Sequence, residues 1–409
     1  MKKHLQKKGW IVVLSAMGIT FLGGITYTWS VISNGLMQEY HWTSTQASLP
    51  YTVMTVAFVI AMVIFGKLQD LKGPQLCTVV SAILAGTGML LSAFVKSPWL
   101  MVVTFGIIGG IGFGITNVVS TPPALKWFPP EKQGLISGIV VAGAGLSPVF
   151  YSPVANYLIT NLGITKTFTI LGIFTLVLIL LLSKNIKNPP LPHVPARPKQ
   201  ETAETENDLT SREMLKTASF YKLWLILAFS AAAGLMIIAH ATTIAKTQAN
   251  WSGGYLLVML MALFNAQGRL AGGALSDRIG RMNTLRLIFL VQAGNMLFFR
   301  TYVTPLHLAL GFAVAGFCYG AMFGIIPATT SDLFGLKYFG ANYGILFTAW
   351  GLSGVIGPMS AARILDTTGT YHTAYLLAAV LLVLSIVLTF TFPTRKAQSS
   401  QKSECQSIA

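Results

Sequence analysis

Long apolar runs follow one another along almost the whole of this 409-residue chain. A helix needs about 20 apolar residues to cross a bilayer, and only helices or closed barrels can satisfy the backbone polar groups there. The runs are continuous, whereas barrel strands alternate at every second residue. We therefore predict an all-α polytopic membrane protein with twelve spans. The predicted spans are residues 10–36, 48–68, 76–95, 99–124, 134–157, 166–184, 220–243, 253–276, 284–303, 306–332, 341–364 and 372–392.

The composition agrees with a lipid environment. Only 10% of the residues are charged and 53% are hydrophobic, whereas soluble domains carry about 25% charged residues. A basic start runs directly into apolar sequence from Trp10 to Leu36. A cleaved signal peptide has a shorter apolar core and a small-residue cleavage site. We therefore expect the first span to be retained.

The positions of the basic residues predict the orientation. If the N-terminus is cytosolic, 22 of the 28 Lys and Arg residues lie on the cytosolic side, two lie within spans, and four lie outside: Lys96, Lys166, Lys246 and Arg300. Cytosolic loops carry the excess of Lys and Arg. We expect a multi-pass protein of the cell (inner) membrane, monomeric, with both termini in the cytosol. The net charge of +16 is then a topology signal and does not indicate nucleic-acid binding.

The two halves of the chain repeat. The loop sequence from Gly66 to Gly73 returns as Gly273 to Gly280, 207 positions later, and Gly145-Leu-Ser returns as Gly351-Leu-Ser. The repeat predicts two pseudo-symmetric six-helix bundles, the architecture of the major facilitator superfamily, whose loop signature G-x-L-x-D-x-x-G this chain resembles twice. We place the bundles at 1–184 and 219–393, with a proline-rich cytosolic linker at 185–218 and a cytosolic tail at 394–409.

The repeated loop has a physical interpretation. Its glycines permit a tight turn and close helix approach, and an aspartate there can hold a neighbouring helix end or an arginine. The motif predicts either a cytosolic gate latch or a static turn. The residues concerned are Gly66, Asp70, Gly73, Gly273, Asp277, Arg278, Gly280 and Arg281.

Arg269 lies well inside the eighth predicted span, and no acidic residue of the chain is predicted at mid-membrane depth. A charge there is costly unless it is paired or hydrated, which makes it a functional candidate. Without a protein counter-ion, the guanidinium fork suits a carboxylate cargo. Asn265, four residues earlier, shares its helix face. The alternative is that Arg269 extends its side chain to the cytosolic surface.

Other polar residues at mid-depth are weaker candidates. His240 can hydrogen-bond cargo or carry a proton, or it is simply a satisfied buried histidine. Tyr319, Tyr27 and Asn117 are candidates for the cavity wall, although such groups more often bond helix to helix. The three cysteines have no metal or redox spacing, and we expect no cofactor or metal.

With these residues in view, the chain resembles the oxalate:formate antiporter family of the major facilitator superfamily, which includes bacterial lactate and pyruvate transporters. The resemblance covers essentially the whole chain. It depends on Tyr27-Thr-Trp29, Lys126-Trp-Phe-Pro129 to Gly138, Asn265-x-x-x-Arg269, and Asn342-Tyr-Gly344 to Gly357-Pro358. It implies secondary transport by alternating access, with Arg269 as the carboxylate ligand and with Asn265, His240 and Tyr319 as candidate neighbours of the cargo.

One departure from the family bears on the cargo. Oxalate-exchanging members are expected to carry a lysine in span 11, whereas Trp350 stands at what corresponds to that place here and is itself a candidate substrate-binding residue. With one deep cation, a monoanion such as formate, lactate or pyruvate matches better than a dianion. Coupling to protons and exchange of one anion for another both stay open.

Rival classes fit less well. A cation or multidrug exporter favours a deep carboxylate or an aromatic cage. A non-transporting membrane sensor needs a cytosolic output domain. An enzyme needs a nucleotide loop, metal cluster or nucleophile–base arrangement, and the sequence shows none of these.

Overall fold

The computed structural model describes residues 2–190, 208–251 and 253–392. In the first half, span 1 consists of the helices Lys2–Gly23 and Trp29–Tyr40 joined by a 3₁₀ turn, and spans 2 and 3 are the helices Ser44–Lys72 and Pro74–Ser92. Span 4 runs through Pro98–Met101, a π-helical stretch Val102–Gly109 and Gly110–Lys126. Spans 5 and 6 share the helical run Gln133–Ser183.

In the second half, span 7 is Ala218–Ile238, continued after a break by Ala241–Ala249. Spans 8, 9 and 10 are Gly254–Ile279, Arg281–Phe299 and Pro305–Phe334. Span 11 consists of Phe339–Leu346 and Thr348–Thr368, and span 12 is His372–Phe390. The all-helical membrane fold predicted from the sequence is confirmed.

Eleven helices of the described residues are long and apolar enough to cross a membrane, and the shared run of spans 5 and 6 accounts for the twelfth. That run has 51 residues, about 77 Å at helical rise, far longer than a bilayer is thick. It reverses at Gly163, whose φ of 79° lies in a region that favours glycine. The Glu39 carboxylate accepts a hydrogen bond from the Ile164 N–H at 2.8 Å and so caps the start of span 6.

The outer surface of the bundle is apolar. Large side chains such as Leu14, Phe94, Leu290, Phe298 and Phe390 are 61%, 77%, 63%, 64% and 66% exposed. A soluble monomer rarely exposes apolar patches of this extent, so these side chains face lipid. The buried residues lie between the helices and include many small and aromatic side chains.

The halves meet mainly where span 5 packs against spans 8 and 10 and where span 2 packs against span 11. Glycines allow the close approach: a Cβ atom on Gly66 would collide with the Gly340 carbonyl, and one on Gly273 with the Gly134 carbonyl. All four glycines lie near Asp70 or Asp277. We call this end of the molecule the motif end and the other the opposite end.

Part of the predicted linker, residues 191–207, and the whole predicted tail, residues 394–409, lie outside the described residues. The described part of the linker contains the short helix Ser211–Met214, whose first turn is capped by the Thr210 hydroxyl. Met214 is fully buried, so this end of the linker packs against the bundle.

Candidate transport site

Arg269 is buried in the interface between the two halves, with 5% of its surface exposed. Its Nε donates to Asn265 Oδ1 at 2.8 Å, and its Nη1 donates to the Val141 carbonyl of span 5 at 2.7 Å. Among the described residues, the ion pairs involve Arg281 and none joins a carboxylate to Arg269. A guanidinium has five N–H donors, so two neutral partners leave both its charge and part of its hydrogen-bonding capacity unmatched by protein.

The helix spacing explains the first of these bonds, because residues four apart lie on one helix face. The second bond crosses from span 8 to span 5. The close approach of the two helices at Gly138 makes it possible, since a Cβ atom there would collide with the Arg269 carbonyl. The predicted pairing of Arg269 with Asn265 is present. The bond from Arg269 to the Val141 carbonyl in the other half was not predicted from the sequence.

Aromatic rings connect Arg269 to the centre of the molecule. The guanidinium carbon lies 5.3 Å from the centroid of the Phe323 ring, within the range of a cation–π contact. Phe323 packs on Phe347, and Phe347 on Trp350, with centroids 6.0 and 5.2 Å apart. The Trp350 indole N–H donates to the Tyr319 hydroxyl at 3.0 Å. Two predicted site residues, Tyr319 and Trp350, are thus joined directly.

A central cavity lies on the other side of Trp350, with a volume of about 20 Å³. This is room for a water molecule or two. Its wall includes three predicted residues, Tyr27, Asn117 and Trp350. The 3₁₀ turn Gly24–Thr28 in the middle of span 1 brings Tyr27 to this wall.

Arg269 and Asn265 lie just behind the cavity wall. A Cβ atom on Gly145 would lie 3.1 Å from Asn265 Oδ1, and the preceding residue, Ala144, lines the cavity. The Arg269–Asn265 pair and the cavity are therefore separated by about one layer of the span 5 backbone.

His240 lies elsewhere. It occupies the break in span 7, where its Nε2 is 3.0 Å from the Pro358 carbonyl and its Nδ1 is 3.1 Å from the Tyr371 hydroxyl. These contacts link spans 7, 11 and 12 within the second half. The structure brings together Arg269 with Asn265, Tyr319 with Trp350, and Tyr27 with Asn117, but it does not bring His240 to any of them.

Sequence reasoning missed part of the cavity wall, namely Tyr51, Thr55 and Phe58 of span 2. A tyrosine or threonine in a span more often bonds helix to helix than faces a cavity, and the sequence of span 2 carries no charge that singles these residues out. Only the packing of span 2 against spans 1 and 11 identifies them.

The loop motif of the second half holds the first half. Asp277 accepts hydrogen bonds from the Gly134 and Leu135 N–H groups, at 2.9 and 2.8 Å, at the start of span 5. The predicted partner Arg281 forms an ion pair with Asp277 and a second one with Asp332 at 2.9 Å. Arg278, also predicted, is exposed on the helix surface.

The loop motif of the first half mirrors this contact. Asp70 accepts from the Gly340 and Ala341 N–H groups, at 3.2 and 2.8 Å, at the start of span 11. In both motifs the last glycine, Gly73 or Gly280, has a φ near 90° and forms a one-residue turn into the next span. A helix start binds a carboxylate through its free N–H groups and its dipole.

The described residues contain no group of three or more His, Cys, Asp and Glu side chains that could hold a metal ion. The chemistry available at the centre is therefore that of one buried cation, amide and hydroxyl groups, and aromatic rings.

Comparisons with known proteins agree with this architecture. The chain is 27% identical over 360 residues to the uncharacterised MFS-type transporter YhjX of Escherichia coli (strain K12), covering 86% of this chain and 87% of the relative. It is 26% identical over 393 residues to the oxalate:formate antiporter of Oxalobacter formigenes, covering 95% and 92%. The solved structure of the proton:xylose symporter XylE superposes with a TM-score of 0.75 at 15% identity, over 95% of this chain and 96% of that one.

The family profile of the Major Facilitator Superfamily matches residues 13–302 and 288–407. Twelve spans in two halves, with the same loop motif in each, are what that match predicts. This chain is a transporter, not an enzyme, and it belongs to the Major Facilitator Superfamily.

Proposed function

We propose that this protein is a secondary transporter of small carboxylate anions, in particular monocarboxylates of the size of formate, lactate and pyruvate. The observation that carries the proposal is the buried Arg269 guanidinium, which has amide and carbonyl partners but no carboxylate partner among the described residues. An intramembrane cation of this kind is expensive unless an anion or water reaches it. A cargo carboxylate can take two parallel hydrogen bonds from its fork.

The surroundings of Arg269 favour a monoanion. Trp350 stands where a second cation is expected for a dianion. Its indole is neutral and adds no charge, and its one N–H is donated to Tyr319. The exchange of oxalate for formate is the alternative, and the 26% identity to the Oxalobacter formigenes antiporter supports it. The central cavity of about 20 Å³ has room for only a water molecule or two, so it must widen to take cargo in either case.

We infer that the halves, residues 1–184 and 219–393 joined by the linker 185–218, move against each other to expose the site alternately. The motif end then faces the cytosol, as do both termini, in the inner membrane. Asp70 and Asp277 act as latches that hold this end closed, since each carboxylate spans the gap between the halves. With this orientation, a conformation joined at the motif end is one closed to the cytosol.

Arg269 takes part in this closure. Its Nη1 bond to the Val141 carbonyl joins the halves, so an incoming carboxylate that captures the guanidinium competes with that contact. Cargo binding is then linked to separation of the halves at the contact between Arg269 and Val141. A ligand shifts a conformational equilibrium only by its differential affinity for the two states, and this exchange of partners supplies such a difference.

Transport into proteoliposomes tests the proposal. We expect wild-type protein to take up radiolabelled lactate or formate, and Arg269→Ala and Arg269→Lys to lose at least about 90% of that uptake, because two charge-assisted bonds are each worth roughly 1.5–3 kcal/mol. Arg300→Ala, at an exposed loop arginine, is the matched control and should retain uptake. Uptake driven by an imposed pH gradient indicates proton coupling, whereas uptake that needs preloaded anion indicates exchange.

Unaltered uptake by both Arg269 variants would reject the site. Uptake of neither monocarboxylates nor oxalate by correctly folded wild-type protein, under either driving force, would reject the cargo class.

A further inference from the structure

A second, larger cavity lies beside the central one. It is a groove of about 340 Å³ between spans 2 and 11, at the half of the molecule away from the motif end. Its wall is mainly apolar and includes Val56, Ile60, Leu352, Val355 and Met359, which are 51%, 53%, 46%, 44% and 65% exposed. The groove is therefore open to the surroundings of the protein, and its lining suits alkyl groups.

Two residues, Tyr51 and Thr55, belong to the walls of both the groove and the central cavity. They lie one helical turn apart on span 2, so together they form the partition between the two spaces. The Thr55 hydroxyl donates to the Tyr51 carbonyl at 3.0 Å and so stays close to its own helix. The Tyr51 ring, as the larger side chain, forms most of this partition.

The Tyr51 ring is held in place from the side of span 1. It stacks on Trp29 with centroids 6.3 Å apart and planes 23° apart. The Trp29 indole N–H donates to the Ala47 carbonyl of span 2 at 3.0 Å, and Trp29 is itself buried. A ring fixed by a second, hydrogen-bonded ring is a defined wall, since packed aromatic pairs add their own stabilisation.

We propose that Tyr51 is a specificity-determining residue that limits the chain length of the carboxylate cargo by closing the central cavity off from the groove. This inference depends on the proposed function, because it requires the carboxylate group of the cargo to be held near Arg269. The head lies on the polar, central side, and an alkyl tail of more than a few carbons meets the Tyr51 ring. Without the ring, the tail extends into the groove.

Competition experiments with the full chain in proteoliposomes test this. Straight-chain monocarboxylates from acetate to octanoate are added during uptake of radiolabelled lactate. For the wild type we expect inhibition to weaken sharply beyond a few carbons. In Tyr51→Ala we expect inhibition to strengthen with length instead, up to about fourfold for each methylene group that enters the groove.

Two variants serve as controls. Tyr51→Phe keeps the ring and should keep the wild-type cut-off. Val56 lines the groove but not the central cavity. Val56→Ala therefore enlarges the groove without opening the partition, and it should also keep the cut-off. If Tyr51→Ala does not transport, the same acids are tested as competitors of uptake by Thr55→Gly. Their binding to purified Tyr51→Ala is then measured as protection against thermal unfolding.

An unchanged cut-off in Tyr51→Ala, with lactate uptake intact, would overturn the inference and indicate that lipid fills the groove. A cut-off shifted equally in Tyr51→Phe would also overturn it, since the hydroxyl rather than the ring would then be responsible. Neither result would affect the proposed function, which fails only if the wild type transports no carboxylate.

Discussion

The two loop motifs have nearly the same sequence but different surroundings. Both aspartates bind the start of a helix in the other half. Around Asp277 there are further bonds between the halves: Arg281 reaches the Pro130 carbonyl at 3.5 Å, and the Ser331 hydroxyl donates to Gln133 Oε1 at 2.8 Å. Around Asp70, the residue that corresponds to Arg281 is Pro74, and the one that corresponds to Asp332 is Lys126.

The segment around the start of span 11, which Asp70 binds, is instead held by the linker. Asp208 Oδ1 accepts from the Leu336 and Lys337 N–H groups, both at 3.1 Å, and the Asn342 amide donates to the Leu209 carbonyl at 2.9 Å. Both copies of the motif therefore make the same contact with a helix start, but different neighbouring groups support the two contacts. Near Asp277, side chains of spans 8 to 10 make further bonds to the first half. Spans 2 and 11 depend on Asp70 instead, and a groove lies between them towards the opposite end.

The largest effect is expected for Asp70→Ala. It removes two hydrogen bonds to a charged group, each worth roughly 1.5–3 kcal/mol, at the side with less support. We expect the population open at the motif end to rise more than tenfold. Spin labels at Lys184 and Tyr221, both exposed at this end on opposite halves, report the change as a longer distance in pulsed electron resonance.

A smaller effect is expected for Asp277→Ala in the same measurement. The bonds from Arg281 to Pro130 and from Ser331 to Gln133 survive it, and Arg281 keeps Asp332 as a partner. An effect equal to or larger than that of Asp70→Ala would contradict the asymmetry between the two latches. The exposed Arg278, changed to Ala, is the control on the same helix.

Much of this molecule could be predicted from the sequence. Hydropathy located the spans because every backbone polar group in lipid must be satisfied within its own helix. The Asn265–Arg269 bond followed from a spacing of four. The Val141 carbonyl, the Tyr51 partition and the position of His240 could not be predicted, because they depend on how helices distant in sequence pack. The contact of Asp208 lies in a stretch whose composition indicates only a linker.

The smallest effect is expected for Asp208→Ala. It frees the Leu336 and Lys337 N–H groups without breaking a bond of Asp70, so we expect faster hydrogen exchange at these two amides. The population open at the motif end, read from the spin labels, should change no more than a few-fold. Arg212→Ala, at an exposed residue of the same segment, should change neither. Unchanged exchange in Asp208→Ala would mean that the linker does not support this loop.

The direct test of the central claim is equilibrium binding of a radiolabelled monocarboxylate to purified protein. We expect saturable binding to the wild type and to Arg300→Ala, and a loss of at least tenfold in affinity in Arg269→Lys and Arg269→Ala. Equal affinity in the wild type and both Arg269 variants would contradict it, because the buried guanidinium would then have no part in holding the cargo.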